Sequence, residues 1–306
     1  MNYYDEIKTK LIDNEHTKRV KDYSKNKSDL DTYYYVGKML SEAGKHYGEG
    51  IIKEYSRKLT LELGKGYSSR NLWIMLNFYV LIEKVQTVSA QLTWSHYIEL
   101  LKLKDINEIN YYIYISENDN LSVRELRNKI KNNEYERLPK EAKIKLVNNE
   151  NFDIKDSIKN PIIIKNNKNE MLSEKLLQKI ILEDISCFLK ELGNGFTFID
   201  NEYKIKMGDR YNYIDLLLFN IEFNCYVVVE LKVTELKKEY IGQIEIYMNY
   251  IDNNIKKIYH DKTIGIIICK KDNKFILEYC SDKRILSREY KIINGGVNEL
   301  LWWNKD

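Results

Sequence analysis

From Val36 to Leu63 the apolar residues Val36, Met39, Leu40, Ile51, Ile52, Tyr55, Leu59 and Leu63 recur broadly at helical spacing, which predicts helices. Gly64 suits the end of the run. Three further starts follow. Ser68 or Ser69 can cap RNLWIMLNFYVLIEK, Thr93 or Ser95 can open WSHYIELLKL, and Ser122 precedes Glu125 at capping-box spacing in LSVRELRNKI. Between residues 133 and 170 the periodicity fades, and both prolines of the chain, Pro139 and Pro161, fall there. The pattern predicts a helical domain over residues 1–155 and a second domain over 156–306.

Beyond the break the pattern changes. One helix is expected over 172–193, then strands in FTFIDNEYKIKM, YNYIDLLLFN and CYVVVELKV. A helix, EYIGQIEIYMNYIDNNIKK, a buried-type strand, TIGIIICK, and a last strand pair around KFILEYC and REYKII complete the order. This is an α/β domain with a strand hairpin at its centre, so the whole chain is expected to be α+β. The helices of the first domain, short and joined by capped turns, resemble a helix-turn-helix or winged-helix bundle. Plain helical packing with no nucleic-acid role accounts for the same pattern.

Composition narrows the picture little. At 306 residues and 43% apolar content the chain can build a core in each domain. A net charge of +3 argues against a large uniform field, so any basic surface is local. The richness in Tyr, Lys, Asn and Ile reads as codon bias and carries no functional weight. Cys187, Cys225, Cys269 and Cys280 are widely spaced and form no C-x-x-C pair, which fits reduced core thiols. No segment reaches the roughly 18 apolar residues of a membrane span, and the N-terminus lacks an apolar leader, so a cytoplasmic protein is expected.

The chemistry concentrates in YNYIDLLLFNIEFNCYVVVELKV. Side chains alternate along a strand, so Glu230 and Lys232 share one face of YVVVELKV. Asp215 interrupts the apolar run of the preceding strand, and the short connection IEFN would bring it to them. A carboxylate in such a strand needs a partner. Either Lys232 neutralises it structurally or a cation does. On the next helix Gln243 and Tyr247 lie one turn apart on the same side.

An Asp on one strand, E-x-K on the next and a helix with Q-x-x-x-Y resemble the PD-(D/E)xK nucleases. The likeness extends further. YGEGIIKEYSRKLTLELGKGYSSRNLWIMLNFY, LTWSHYIELLKL and NLSVRELRNKI are similar to the N-terminal domain of the bacterial YhcG-type PDDEXK nuclease proteins. FLKELGNGFTFIDNEYKI, YIDLLLFN, VVVELKV, EYIGQIEIYMNYID and IGIIICKKDNKFILEYC are similar to their nuclease domain in the same order. The resemblance implies a winged-helix-like DNA-binding domain followed by a restriction-endonuclease-like domain with a mixed sheet flanked by helices. It also implies Mg²⁺- or Mn²⁺-dependent hydrolysis of DNA phosphodiesters in repair, recombination or defence. Asp215, Glu230 and the Leu231 carbonyl would hold the metal, oxygen donors being suited to a hard cation. Lys232 would orient or deprotonate water or stabilise the transition state. Gln243 would position Lys232 or a phosphate, with Tyr247 behind it. An acid on the preceding helix often joins such sites; Glu183 is the choice, with Asp184 and Glu174 as competitors.

One departure stands out. Where the family is expected to carry G-R-Q, this chain has Asp200, Asn201 and Glu202, which bears on DNA affinity or substrate choice. For DNA contacts in the first domain, Lys65 and Arg70 in KGYSSR come first, with Asn71, Ser95 and His96 near helix starts. Trp73 and Trp94 read better as core residues, and a lone His96 is commonly a packed or capping group. Trp302 and Trp303 offer a contact for a second copy, or a pair docked on their own domain. A catalytically inactive nuclease fold serving DNA binding or complex assembly is the main alternative, and RNA as substrate a third.

Overall fold

The computed structural model describes residues 3–20, 25–48, 50–85, 89, 91–148, 150, 152–166 and 172–293. Trp302 and Trp303 lie outside them. The chain divides into two compact units, Met1–Tyr135 and Glu136–Asp306. This division falls before the break expected at residue 155. Its physical basis is visible in Arg137, whose guanidinium pairs with Glu191 and donates to the Pro161 carbonyl at 2.9 Å, while Lys159 stands 3.8 Å from the same carboxylate. These ties fasten the segment that follows residue 135 to the second unit.

The first unit is helical: α1 (Tyr3–Val20), α2 (Lys25–Tyr47), α3 (Gly50–Leu63), α4 (Ser69–Val85), α5 (Trp94–Leu100), α6 (Ile106–Asn118) and α7 (Val123–Lys131), with a 3-10 turn at Lys65–Tyr67. Among its described residues there is no strand. The capping arguments hold locally. Ser122 and Glu125 form the reciprocal box that starts α7. Thr93 caps α5, and Trp73 and Trp94 both pack on the core, the latter edge-on to Phe78. α2 and α4 approach closely because residue 37 is glycine: a Cβ there would lie 2.2 Å from the Met75 carbonyl oxygen.

The second unit runs α8 (Lys140–Asn148), α9 (Ile154–Ser157), β1 (Ile162–Lys165), α10 (Glu174–Glu183), α11 (Ile185–Leu192), β2 (Phe196–Met207), β3 (Arg210–Asn220), β4 (Cys225–Leu231), α12 (Lys238–Asn254), β5 (Asp261–Cys269), α13 (Lys274–Glu278) and β6 (Ile285–Ile293). The six strands form one mixed sheet in the order β1-β6-β5-β4-β3-β2. β2, β3 and β4 are antiparallel neighbours, and β4, β5, β6 and β1 pair in parallel. The chain is therefore α+β, as its pattern predicts.

Three local readings change. The helix expected over 172–193 breaks at Asp184, whose φ of −138° leaves the helical region and whose carboxylate caps α11 by accepting from Cys187 N at 3.1 Å. KFILEYC is not a strand; it contributes the one-turn helix α13, a short apolar run being compatible with either element. β1, four residues beginning after Pro161, is too short to stand out in the sequence.

Both faces of the sheet are covered. Leu216, Leu218, Val227, Val229 and Leu231 point to one side, where Leu177, Ile180 and Ile181 of α10 and Phe188 of α11 pack. Leu217, Val228 and Ile267 point to the other, against Ile241, Ile244, Met248 and Ile251 of α12. α12 reaches β5 only because residue 265 is glycine: a Cβ would sit 2.5 Å from Met248 Sδ. Each fully buried aliphatic side chain contributes roughly 1.5–3 kcal/mol, so these two layers set the sheet rigidly between the helices.

Candidate active site

The site forms where β3 and β4 part. Their last paired residues are Leu216 and Val229, so one step on Asp215 and Glu230 face each other. Lys232 N donates to Ile268 O of β5 at 2.8 Å, which turns the peptide groups of Leu231 the other way, into the gap toward β3. Asp215 Oδ2 fills part of that gap by accepting from Leu231 N at 2.7 Å. The Leu231 carbonyl, on the same side of its strand, faces the same opening.

Glu230 is 2% exposed. Its Oε1 accepts from Lys232 Nζ at 2.8 Å and from Gln243 Nε2 at 2.8 Å, whereas Oε2 is buried with no hydrogen-bond partner. A buried carboxylate oxygen left unpaired is costly. The second hydrogen of the Gln243 amide goes to Tyr247 OH at 3.0 Å, which fixes the amide with its nitrogen toward the glutamate. The helical spacing of Gln243 and Tyr247 thus builds one relay that orients Glu230.

Electrostatics follow from this burial. Desolvation, then the charge of Asp215, pushes the Glu230 carboxyl up to about 7. Desolvation likewise raises Asp215 above the ordinary carboxylate range, partly offset by the Leu231 N–H and by Lys232. Burial alone would lower Lys232, but the hydrogen bond and charge of Glu230 outweigh it and raise the ammonium. Lys232 also lies 3.7 Å from Glu174 Oε2 and 5.1 Å from the centre of the Tyr240 ring.

Of the acids on the preceding helix, it is Glu174, at the first turn of α10, that lies beside Lys232. Nine residues separate Glu174 from Glu183, about 13 Å along the axis, which puts Glu183 at the far end of the same helix. Asp184, the other competitor, caps α11. Sequence reasoning passed over two neighbours. Gln178 Nε2 donates to the Asp215 carbonyl at 3.0 Å, and the signal for it was its position one turn after Glu174 on the same helix face. Tyr240 precedes Gln243 by one turn on α12 and flanks the lysine. Glu202 stands opposite Asp215 across the β2–β3 register and adds to the negative charge around it.

The residues expected to contact DNA in the first unit divide. Lys65 and Arg70 are exposed, and so is Ser95. Asn71 spends its amide on the Gly66 carbonyl at 2.8 Å. His96 is buried, with Nδ1 on Thr93 at 2.8 Å and Nε2 on the Leu121 carbonyl at 2.9 Å, so both ring nitrogens are engaged within the unit.

An acid on each of two parting strands, a lysine two residues after the second, and a glutamine and tyrosine on the following helix define a nuclease of the PD-(D/E)xK class. Comparison with known proteins agrees. Residues 155–295 match the YhcG PDDEXK nuclease domain, and residues 7–137 match the DUF1016 N-terminal domain. Together the two matches span most of the chain, which is therefore similar to the YhcG-type PDDEXK nuclease-domain proteins in both of its parts. It is 25% identical over 331 aligned positions, covering 92% of this chain and 88% of the other, to "Putative nuclease YhcG" of Escherichia coli (strain K12). Among solved structures, a repair endonuclease from Pyrococcus abyssi is 18% identical with a TM-score of 0.29, over 40% of this chain and 48% of that one. EndoMS in its apo form is 19% identical with a TM-score of 0.27, over 42% and 50%. The chain spans about half the length of these two solved proteins.

Proposed function

We propose that the protein is a divalent-metal-dependent deoxyribonuclease whose first unit contributes to DNA binding. The observation that carries this reading is Glu230 Oε2, a buried carboxylate oxygen without a partner, on the residue that stands opposite Asp215 where the strands part. Among the described residues no group of three His, Cys, Asp or Glu forms a ready-made metal cage. The donors present are two carboxylates and the Leu231 carbonyl, an all-oxygen set that fits Mg²⁺ or Mn²⁺ with water completing the shell. When bound, such an ion would polarise the scissile phosphate and supply a water of lowered pKa.

The remaining roles belong to the chain's own groups. Lys232 is held as an ammonium by Glu230, so it orients water and offsets charge gathering on the phosphate rather than accepting a proton. Gln243 holds Glu230 Oε1 and leaves Oε2 for the ligand, while Tyr247 keeps the amide from flipping. Gln178 steadies the backbone at Asp215. In the first unit, exposed Lys65 and Arg70 next to the 3-10 turn are the proposed phosphate contacts.

The test is Mg²⁺-dependent cleavage of linear, nicked and branched DNA, with RNA in parallel, by wild type and Asp215→Ala. Cleavage by wild type alone supports the reading. Equal cleavage by both, or none with any metal, overturns it. A second reading, an inactive nuclease fold that binds DNA or assembles complexes, draws on Asp200 and Glu202, acids where the resemblance leads one to expect neutral residues, the latter adding its charge beside Asp215. Calorimetry with Mn²⁺ separates the two, since an active site gives heat that Glu230→Gln abolishes and a decayed one gives none.

A further inference from the structure

We propose that the β2–β3 hairpin is a single-strand guide: its exposed face takes an unpaired DNA segment, bases on Tyr211 and Tyr213 and phosphates on Lys204 and Lys206, and leads it to Asp215. The inference rests on the nuclease reading for the identity of its ligand, and its own evidence is separate. β4 stops pairing with β3 at Leu216, but β2 and β3 continue together to Met207 and Arg210, where Gly208, with φ of 60°, and Asp209 turn the chain. The hairpin is thus a two-stranded arm running on from the site.

Its two faces differ in kind. Ile205 and Ile214 are fully buried, and Tyr203 and Met207 pack on the same cluster, which anchors the arm. The opposite face pairs Lys204 with Tyr213 and Lys206 with Tyr211 across the strands. Tyr211 is 53% exposed and Tyr213 52%, and Lys204 Nζ sits 3.9 Å above the Tyr211 ring. Asp215 lies two residues beyond Tyr213 on β3, where the alternation of the strand shifts, since Ile214 and Leu217 on either side of it both join the cluster under α12.

Two aromatic rings in water, interleaved with two lysines on a rigid ribbon, have the chemistry of a single-strand platform. Stacking needs the free face of a base, which duplex DNA does not offer. Alternate residues of a strand stand about 7 Å apart, twice the 3.4 Å step of a duplex strand, so one stretched nucleotide fits each tyrosine. Arg210 at the tip adds a third cation, offset in the turn by Asp209, while Glu202 beside Asp215 discourages phosphate from lodging short of the site. The guide therefore fits a flap, an overhang or a melted end better than an intact duplex.

The test is fluorescence anisotropy with the full chain in EDTA, using labelled oligothymidine and a duplex of equal length. Tyr211→Ala with Tyr213→Ala should weaken single-strand binding roughly tenfold per tyrosine, leaving duplex binding within about twofold. Tyr211→Phe with Tyr213→Phe should retain it, because rings and not hydroxyls stack. An oligothymidine carrying 4-thiothymidine should crosslink within residues 204–213. Since both tyrosines are exposed, thermal melting should be unchanged and report any misfolding. Unchanged single-strand affinity in the alanine pair, or crosslinks confined to the first unit, overturns the proposal even where wild type cleaves DNA. Binding that depends on the tyrosines in a protein that cleaves nothing upholds the guide and overturns the nuclease reading instead.

Discussion

Replacing Glu230 by glutamine should stabilise the metal-free protein at pH 8 and leave it nearly unchanged at pH 4. The carboxyl is raised from 4.5 to about 7, first by burial and then by Asp215. A carboxyl raised on folding contributes stability that is complete below its unfolded value and is lost as pH rises through the folded one. The window is therefore about pH 4.5 to 7. At 1.36 kcal/mol per unit, keeping Glu230 ionised in the folded protein costs about 3 kcal/mol above pH 7. Glutamine is neutral and nearly isosteric, so it relieves this cost. It also takes the close anion from Lys232, leaving Glu174 at 3.7 Å and the charge of Asp215, and the net gain should be roughly 1–3 kcal/mol.

For a unit of this size that gain corresponds to a rise of roughly 2–12 °C in melting temperature. The assay is thermal unfolding of wild type and Glu230→Gln in EDTA from pH 4 to 8, then with Mg²⁺ added. The two curves should converge at low pH and separate with the variant higher at pH 8. Saturating Mg²⁺ should then raise wild type alone, by about 2.7 kcal/mol at one hundred times its Kd. A variant equally destabilised at every pH would refute the reasoning, since it would show that Glu230 is held by its hydrogen bonds and not strained by its charge.

Glu174→Ala should lower cleavage at least tenfold while Glu183→Ala leaves it within about twofold, because only the first carboxylate reaches Lys232; kcat for the two variants on one substrate decides it. Gln243→Ala takes one of the two donors from Glu230 Oε1 and the amide from the Tyr247 hydroxyl, and should weaken metal binding 10- to 100-fold, read by Mn²⁺ calorimetry, with melting little altered. Gly265→Ala should destabilise by about 1–3 kcal/mol, visible as a lowered melting temperature, since its Cβ would meet Met248 Sδ at 2.5 Å and Ile244 at 3.0 Å.

What the sequence revealed depends on the range of each signal. The shared face of Glu230 and Lys232 follows from a period of two, and the Gln243–Tyr247 pair from a period near four; both are local and both hold in the structure. The choice among Glu174, Glu183 and Asp184 was not local. It turned on where the helix breaks and which of its ends docks beside β4, and the break is set by an Asp184 cap that an unbroken apolar run conceals. The division at Tyr135 was hidden for the same reason, because Arg137 meets Glu191 only after the chain has folded. For His96 both a DNA contact and a capping role stayed open in the sequence, because its second partner, the Leu121 carbonyl, is distant along the chain.

The charges around Lys232 explain why so apolar a pair of strands tolerates them. Fully ionised, Asp215, Glu230 and Glu174 carry three negative charges against the one positive charge of Lys232. Simple neutrality would need one carboxylate, not three, and a purely structural ion pair would leave no oxygen orphaned. Glu230 supplies both exceptions: its proton is held up to about 7, and its Oε2 has nothing to accept from. The excess is two negative charges, and Glu202 beside Asp215 adds a third, a surplus that a divalent cation would largely offset. Parting β3 from β4 creates the opening, and the α12 relay keeps Glu230 aimed into it. The surrounding core holds both strands too firmly for the site to relax by collapse. On the proposed reading, the strain at Glu230 is what a bound cation would relieve.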